Sequence, residues 1–373
     1  MKAQSFRKPL ILSGAALAVI VLLRCFRYNR TVMQTLYRHI VRPLHLSLIS
    51  LTGKVSFSVA ELVIILTVLS VLVRLAVSLI RLVREPGRGR QLLRILLWLL
   101  ALVLWIYAGF CLMWGVYYYS EDFSENAGIR SRDVSVEELE TVTAWFAELA
   151  NRYAPLVPRD ENGVYAADRA AILRKSETLY REAAGLCPAL QGPEVPVKPF
   201  FFSRLLSLVD FTGFFFPFTG EANVNMDSPS AFFAASAAHE IAHQRGVARE
   251  QEANFCAVLS SLANGDPDYC YSASLLACVH LGNALNGADP SALSRIRDGL
   301  DERVLADLAT DRDYWAQFET PIGELSNAVY EEFLQSYDQE LGLKSYGACT
   351  DLLVCFYLDE ARAWASAQIQ MSP

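Results

Sequence analysis

The sequence contains no Cys-x-x-Cys pair; its eight cysteines are scattered along the chain. That spacing excludes a cysteine zinc ribbon and a thioredoxin-like redox motif. Basic charge is also in short supply, with a formal net charge of −7. Phosphate recognition needs Lys and Arg clustered on one face, so nucleic acid is not an expected partner. There is no internal repeat and no low-complexity run. Histidine is scarce: five in 373 residues, namely His39, His45, His239, His243 and His280. Against that scarcity, two histidines four residues apart around Glu240 stand out.

What the chain has in excess is apolar surface. The apolar fraction is 53%, concentrated in the N-terminal third as three stretches. These predict transmembrane helices over about residues 9–26, 57–80 and 95–118. The first follows Lys2, Arg7 and Lys8 as a signal peptide would. No small-x-small cleavage site comes after it, only Arg24, Cys25 and Phe26, so an uncleaved helix is expected. The second is interrupted late by Arg74. The third is free of charge, and Tyr117, Tyr118 and Tyr119 at its end read as an interfacial aromatic belt. Residues 1–120 are therefore expected to form a membrane domain whose partner is the lipid bilayer. Residues 121–134 read as a polar linker and 135–373 as a second domain.

Cytoplasmic loops retain Lys and Arg. The turn between the second and third stretches carries Arg81, Arg84, Arg88, Arg90 and Arg94; the exit of the third carries Glu121, Asp122 and Glu125. This places the turn inside and the C-terminal domain on the extracytoplasmic side of a multi-pass protein. Residues 24–54 run against this pattern, with Arg24, Arg27, Arg30, Arg38, Arg42 and Lys54. An amphipathic segment lying flat on the membrane would reconcile them.

The second domain reads as mainly helical. Ser135 and Glu138 form a capping box, after which Leu139, Val142, Phe146 and Leu149 repeat at helical spacing. Residues 160–164 form a turn and 169–186 a further helix. Residues 199–218 are crowded with phenylalanine. They fit a core strand and hairpin beneath the next helix, or a hydrophobic lip that touches the membrane or receives an apolar substrate. Residues 221–226 read as an edge strand able to pair with an extended peptide. Residues 298–313 read as a solvated charged face, and Leu352, Leu353, Cys355 and Phe356 as core. Cys256 is expected to be buried and free.

Ser228 as N-cap and Pro229 at the first helical position start a helix that Gly246 stops. Within it stands H-E-x-x-H, from His239 to His243. Residues four apart lie within about 40° of one face and about 6 Å along the axis, so both imidazoles can meet one metal ion. Glu240 projects beside them, where it can contact a water without being a ligand. The flanking residues Ala237, Ala238, Ile241 and Ala242 predict a buried helix. Burying two histidines and a glutamate without partners is costly, and a Zn2+ ion removes the cost. A third ligand is needed, and the following helix offers Glu250 and Glu252, which point about 200° apart. Glu250 shares its face with Asn254 and is the expected ligand. Asn254 then holds a ligating histidine through its other ring nitrogen, and Glu252 faces away as a surface charge or salt-bridge partner.

The string E-x-x-A-N, from Glu250 to Asn254, resembles the third-ligand signature of gluzincin-type zinc peptidases. The longer G-E-A-N-V-N, H-E-I-A-H-Q-R-G-V-A-R-E-Q-E-A-N-F resembles a bacterial membrane family called domain of unknown function 3810. That resemblance extends to F-T-G-F-F-F-P-F-T-G-E-A-N at residues 211–223 and S-Y-G at 345–347, and so to nearly the whole chain. It implies a membrane-anchored H-E-x-x-H protein in the bacterial cytoplasmic membrane, and supplies no substrate. The expected fold is thus mainly α: three transmembrane helices, then an α+β zincin-like, gluzincin-type domain. One departure is the spacer. Only six residues separate His243 from Glu250, which requires a tight turn at Gly246.

The expected function is a membrane-anchored zinc metallopeptidase acting on an exported or membrane-proximal peptide or protein. Glu240 would be the general base, and the oxyanion would rest on zinc and a neutral donor. Tyr269, Tyr271, His280 and Tyr346 are candidates for that donor, none fixed by spacing. The alternatives are an envelope sensor and a structural zinc-binding membrane protein without proteolytic activity. The sidedness is testable. In intact cells an impermeant thiol reagent should label a cysteine engineered near Ser124. Labelling only after lysis would reverse the topology.

Overall fold

A computed structural model describes residues 6–84, 87–129, 132–337 and 346–371. Ser345 and the side chain of Tyr346 lie outside what is described. The chain divides into two compact units. One comprises residues 1–48, 58–121 and 216–220, the other residues 49–57, 122–215 and 221–373.

The first unit holds three helices long and apolar enough to cross a membrane: Arg7–Phe26, Val59–Arg84 and Arg88–Tyr118. Arg7–Phe26 packs along Arg88–Phe110, with Ala16 and Ala108 buried between them. Small residues at that seam let the two backbones approach closely. Val59–Arg84 buries only Ala60 and Glu61; its leucines and valines point outward, the surface expected of a lipid-facing helix. Arg74, a charge inside this stretch, sits 4.4 Å from the centroid of the Trp98 ring, so an aromatic face receives it.

Residues 24–54 are largely helical, as Arg30–Leu36, Tyr37–Val41 and Arg42–Thr52. Their polar groups meet the end of the third long helix. Arg38 pairs with Glu121 at 2.7 Å, and Gln34 both donates to the Glu121 carboxylate and accepts from its amide. The aromatic belt needs correction, because Tyr117 and Tyr118 are buried. Tyr117 stacks on His45, its hydroxyl 2.6 Å from Nδ1. Trp114 Nε1 donates to the Tyr118 hydroxyl at 3.2 Å. Their polar tips find partners inside the unit instead of at headgroups.

The second unit is built around the long helix Pro267–Ala288. Helices Val136–Tyr153, Ser230–Gln244, Glu250–Asn264 and Tyr346–Met371 all pack against it. Ser135 caps Val136–Tyr153 through the reciprocal box with Glu138, and Leu139, Val142, Phe146 and Leu149 enter the core. Residues 169–186 do not form one helix. Arg169–Lys175 and Arg181–Leu186 are separated by a tighter turn at Ser176–Thr178, where the Ser176 hydroxyl donates to Leu173 O and accepts from Val197 N. Leu352 and Leu353 are buried as expected, and Cys256 is buried and free.

Three short strands form a sheet: β1 (Lys198–Phe200), β2 (Gly213–Phe216) and β3 (Glu221–Asn225), in the order β1-β3-β2. The expected edge strand at residues 221–226 is therefore central. Lys198 pairs in parallel register with Asn223, and all five β3 residues are buried. The reason is visible in its alternation. Ala222 and Val224 feed the hydrophobic core, while Asn225 on the other face ties down the chain before β2 by donating to Ser207 Oγ and Phe211 O.

Two further expectations are corrected. Glu252 is not a surface charge: it is buried and accepts from the amides of Phe123 and Ser124 at 3.1 and 2.9 Å. These amides open the short helix Phe123–Ala127, where unsatisfied N–H groups favour an anion. Nor is residues 298–313 wholly a solvated face. Helix Glu302–Trp315 buries Asp307, which takes both arms of Arg159 at 3.1 and 3.0 Å, the Tyr165 amide at 2.8 Å and the Tyr271 hydroxyl at 2.5 Å.

Removing Asp307 would strand Arg159, whose side chain is only 14% exposed. Asp307→Ala should cost about 3–5 kcal/mol of stability, read as a lowered unfolding temperature. Asp313→Ala, which breaks a solvent-exposed pair with Arg312, should leave that temperature unchanged. Equal effects would contradict the burial argument.

Candidate metal centre

Helix Ser230–Gln244 has almost no solvent face. Ala231, Ala234, Ala235, Ala237, Ala238 and Ala242 are all buried. Their small side chains let it lie close to Glu250–Asn264, Pro267–Ala288 and β3. Its start differs from expectation by one residue. Pro229 occupies the N-cap position, while the Ser228 hydroxyl donates back to Asn225 O. Its end follows expectation. Gly246 takes φ of 98°, the Gly246 amide donates to His243 O, and the Val247 amide donates to Ala242 O. This left-handed glycine cap reverses the chain, so that Glu250 becomes the first residue of the next helix.

The reversal brings His239, His243 and Glu250 together, with one potential ligand atom from each lying within 4.8 Å of the others. Glu250 Oε2 is 3.1 Å from His239 Nε2 and 3.6 Å from His243 Nε2. Ligand atoms around a tetrahedral zinc, each about 2.0–2.1 Å from the ion, stand about 3.3 Å apart. The donor set of two imidazole nitrogens and a carboxylate oxygen therefore fits zinc in both chemistry and spacing.

The opposite atoms of these residues are also held. His239 Nδ1 donates to Asn254 Oδ1 at 2.8 Å, as expected of Asn254. His243 Nδ1 donates to Val247 O at 2.7 Å, a contact that the turn at Gly246 creates. Both tautomers thus leave Nε2 facing the cluster. Glu250 Oε1 accepts from the Tyr330 hydroxyl at 2.7 Å. Tyr330 lies on helix Pro321–Ser336, in a stretch with no motif. Only its position in the folded chain identifies it.

Glu240 is 4% exposed, and its Oε2 has no hydrogen-bond partner among the described residues. Burial pushes its carboxyl up to about 7, opposed by the two imidazoles. For His243 burial works against charge, but the Glu250 carboxylate outweighs it and lifts the imidazole to about 9. Burial likewise opposes charge on Glu250; the histidines win and hold it well below the usual carboxylate range. Gly213 at the start of β2 abuts Glu240. An added Cβ there would lie 2.8 Å from Glu240 Cγ, 2.9 Å from its Oε1 and 2.8 Å from Asn223 O.

The candidate oxyanion donors fare differently. The Tyr269 hydroxyl donates to Ile172 O, and that of Tyr271 is engaged by Asp307, so both serve the core. His280 is buried, and its imidazole is lowered to about 4, first by burial and then by the charge of His239. Of the phenylalanine-rich stretch, Phe200 is buried while Phe201 and Phe202 are 82% and 43% exposed. The core reading therefore describes Phe200, while Phe201 and Phe202 face outward.

Residues 33–354 match the family described as Protein of unknown function (DUF3810). No curated protein and no solved structure matches the chain.

The cluster makes a stoichiometric prediction. The purified chain should take up one zinc. His239→Ala or His243→Ala should abolish uptake, and Glu250→Ala should weaken it strongly. Glu252→Ala should retain it. Loss in Glu252→Ala with full retention in Glu250→Ala, measured by metal analysis, would assign the third ligand to the other glutamate.

Proposed function

The chain belongs to that family, and from the geometry of its site we propose that it is a membrane-anchored zinc metallopeptidase. The observation that carries the reading is the convergence of His239, His243 and Glu250 beside a buried carboxylate, Glu240, with an unpartnered oxygen. A structural zinc site closes its fourth position, usually with Cys or His, and needs no base. Here three ligand residues are present, and the neighbouring group is one that can move a proton.

When bound, zinc supplies Lewis acidity and makes water a better acid near neutral pH. The remaining steps belong to the chain. Glu240 takes the proton of the attacking water as the C–O bond forms, and delivers it to the leaving amine as the C–N bond breaks. Gly213, lacking a side chain, leaves the base its room. The expected substrate is an exported or membrane-proximal peptide or protein, consistent with three apolar helices preceding the second unit. Since β3 is central in the sheet, β-augmentation by a substrate would use the outer strand β2, which starts beside Glu240 at Gly213.

Glu240→Gln tests this. The substitution keeps size and nearly shape, so zinc content and unfolding temperature should hold. Hydrolysis of a substrate identified by comparing the membrane and exported proteomes of wild-type and deletion strains should fall by at least about 100-fold. Full activity in Glu240→Gln would refute the peptidase reading. Unfolding would make Glu240 a structural residue.

A further inference from the structure

We propose that Tyr330 is the positioning residue for the ligand Glu250, restricting it to coordination through a single oxygen. The inference rests on the zinc reading above. Each of the three ligand residues has two polar atoms, one facing the cluster and one facing away. For the histidines the outward atom is held by Asn254 and by Val247 O, both close to the ligands in sequence. For Glu250 it is held by Tyr330, eighty residues further along the chain.

The carboxylate needs such a partner more than the imidazoles do. A glutamate has several rotatable bonds and two equivalent oxygens, so it can swing or chelate. Chelation would consume the position a reacting water requires. With Oε1 engaged by the phenol at 2.7 Å, Oε2 is the oxygen left to face His239 and His243.

The phenol is itself anchored. Its ring meets Phe211 edge-on at 5.4 Å and stacks with Phe333 at 6.1 Å. Its helix is tied to the chain before β2 by Ser326 Oγ donating to Val209 O and Asn327 Nδ2 donating to Asp210 Oδ2, both at 3.1 Å. Asp210 adopts φ of 62°, a left-handed conformation that Asp tolerates better than most residues. Its side chain is thereby placed against the helix. The same stretch leads directly to Gly213. One short segment therefore sets both the base, through Gly213, and the ligand, through Tyr330.

Tyr330→Phe on the full-length chain in detergent removes the hydroxyl and keeps the ring. The unfolding temperature of the metal-free chain should not change. Zinc affinity, measured by competition with a chelator, should fall about 10–100-fold, as for other outer partners of metal ligands. X-ray absorption of the zinc-loaded variant should show an added carboxylate oxygen relative to wild type. Unchanged affinity and unchanged coordination would overturn the proposal, as would unfolding of the metal-free variant, which would make Tyr330 a core residue. A wild-type chain that binds no zinc would fail at the earlier step and take both readings with it. Zinc bound equally by wild type and Tyr330→Phe sinks only this one.

Discussion

A helix with almost no solvent face carries three polar side chains at the centre of the second unit, and the surrounding structure answers to that burial. Isolated imidazoles and carboxylates are expensive away from water. Each of them needs a partner within reach. Asn254 and Glu250 come from the next helix, whose start Gly246 makes possible, and Val247 O comes from the turn; Tyr330, from a distant helix, holds Glu250 in turn. Glu240 Oε2 is the atom for which the described residues provide none. A satisfied network rigidifies a core, and an unpartnered oxygen within it calls for an explanation.

Packing and polarity are set by the same residues. Alanines on Ser230–Gln244 bring its neighbours close enough for Asn254 and Glu250 to touch His239. Larger side chains there would move the next helix away and open those contacts. The carboxylate of Glu252, on the opposite face of the helix from Glu250, is used differently. It accepts from the amides of Phe123 and Ser124 and so joins the short helix Phe123–Ala127 to the helix that bears Glu250. Two glutamates separated by one residue thus serve separate purposes because a helix points them apart.

The first unit follows a simpler rule. Three of its helices are long and apolar enough to cross a bilayer, a medium that favours helices because they satisfy their own backbone groups. Three of its polar groups turn to protein: Arg74 to Trp98, Arg38 to Glu121, Tyr117 to His45. An arginine count along the chain registers the charge of such residues but not the partners that meet it.

Local patterns were legible in the sequence because they depend on a few neighbouring residues. The apolar stretches, the Ser135 capping box, the glycine stop at Gly246, and the four-residue spacing of His239 and His243 are all of this kind. So was the opposite facing of Glu250 and Glu252, since helix geometry alone separates their directions. Tertiary structure decided everything that depends on distant segments meeting. It put β3 inside the sheet although its length and position suggested an edge, because β1 and β2 flank it. It buried Glu252 and Asp307, whose charge in a linear reading signals solvent, by bringing amides and Arg159 to them. It also delivered Tyr330 to Glu250 from a helix without any motif. A residue's type and spacing determine what it can bind, but which group arrives to be bound depends on how chain segments far apart in sequence pack together.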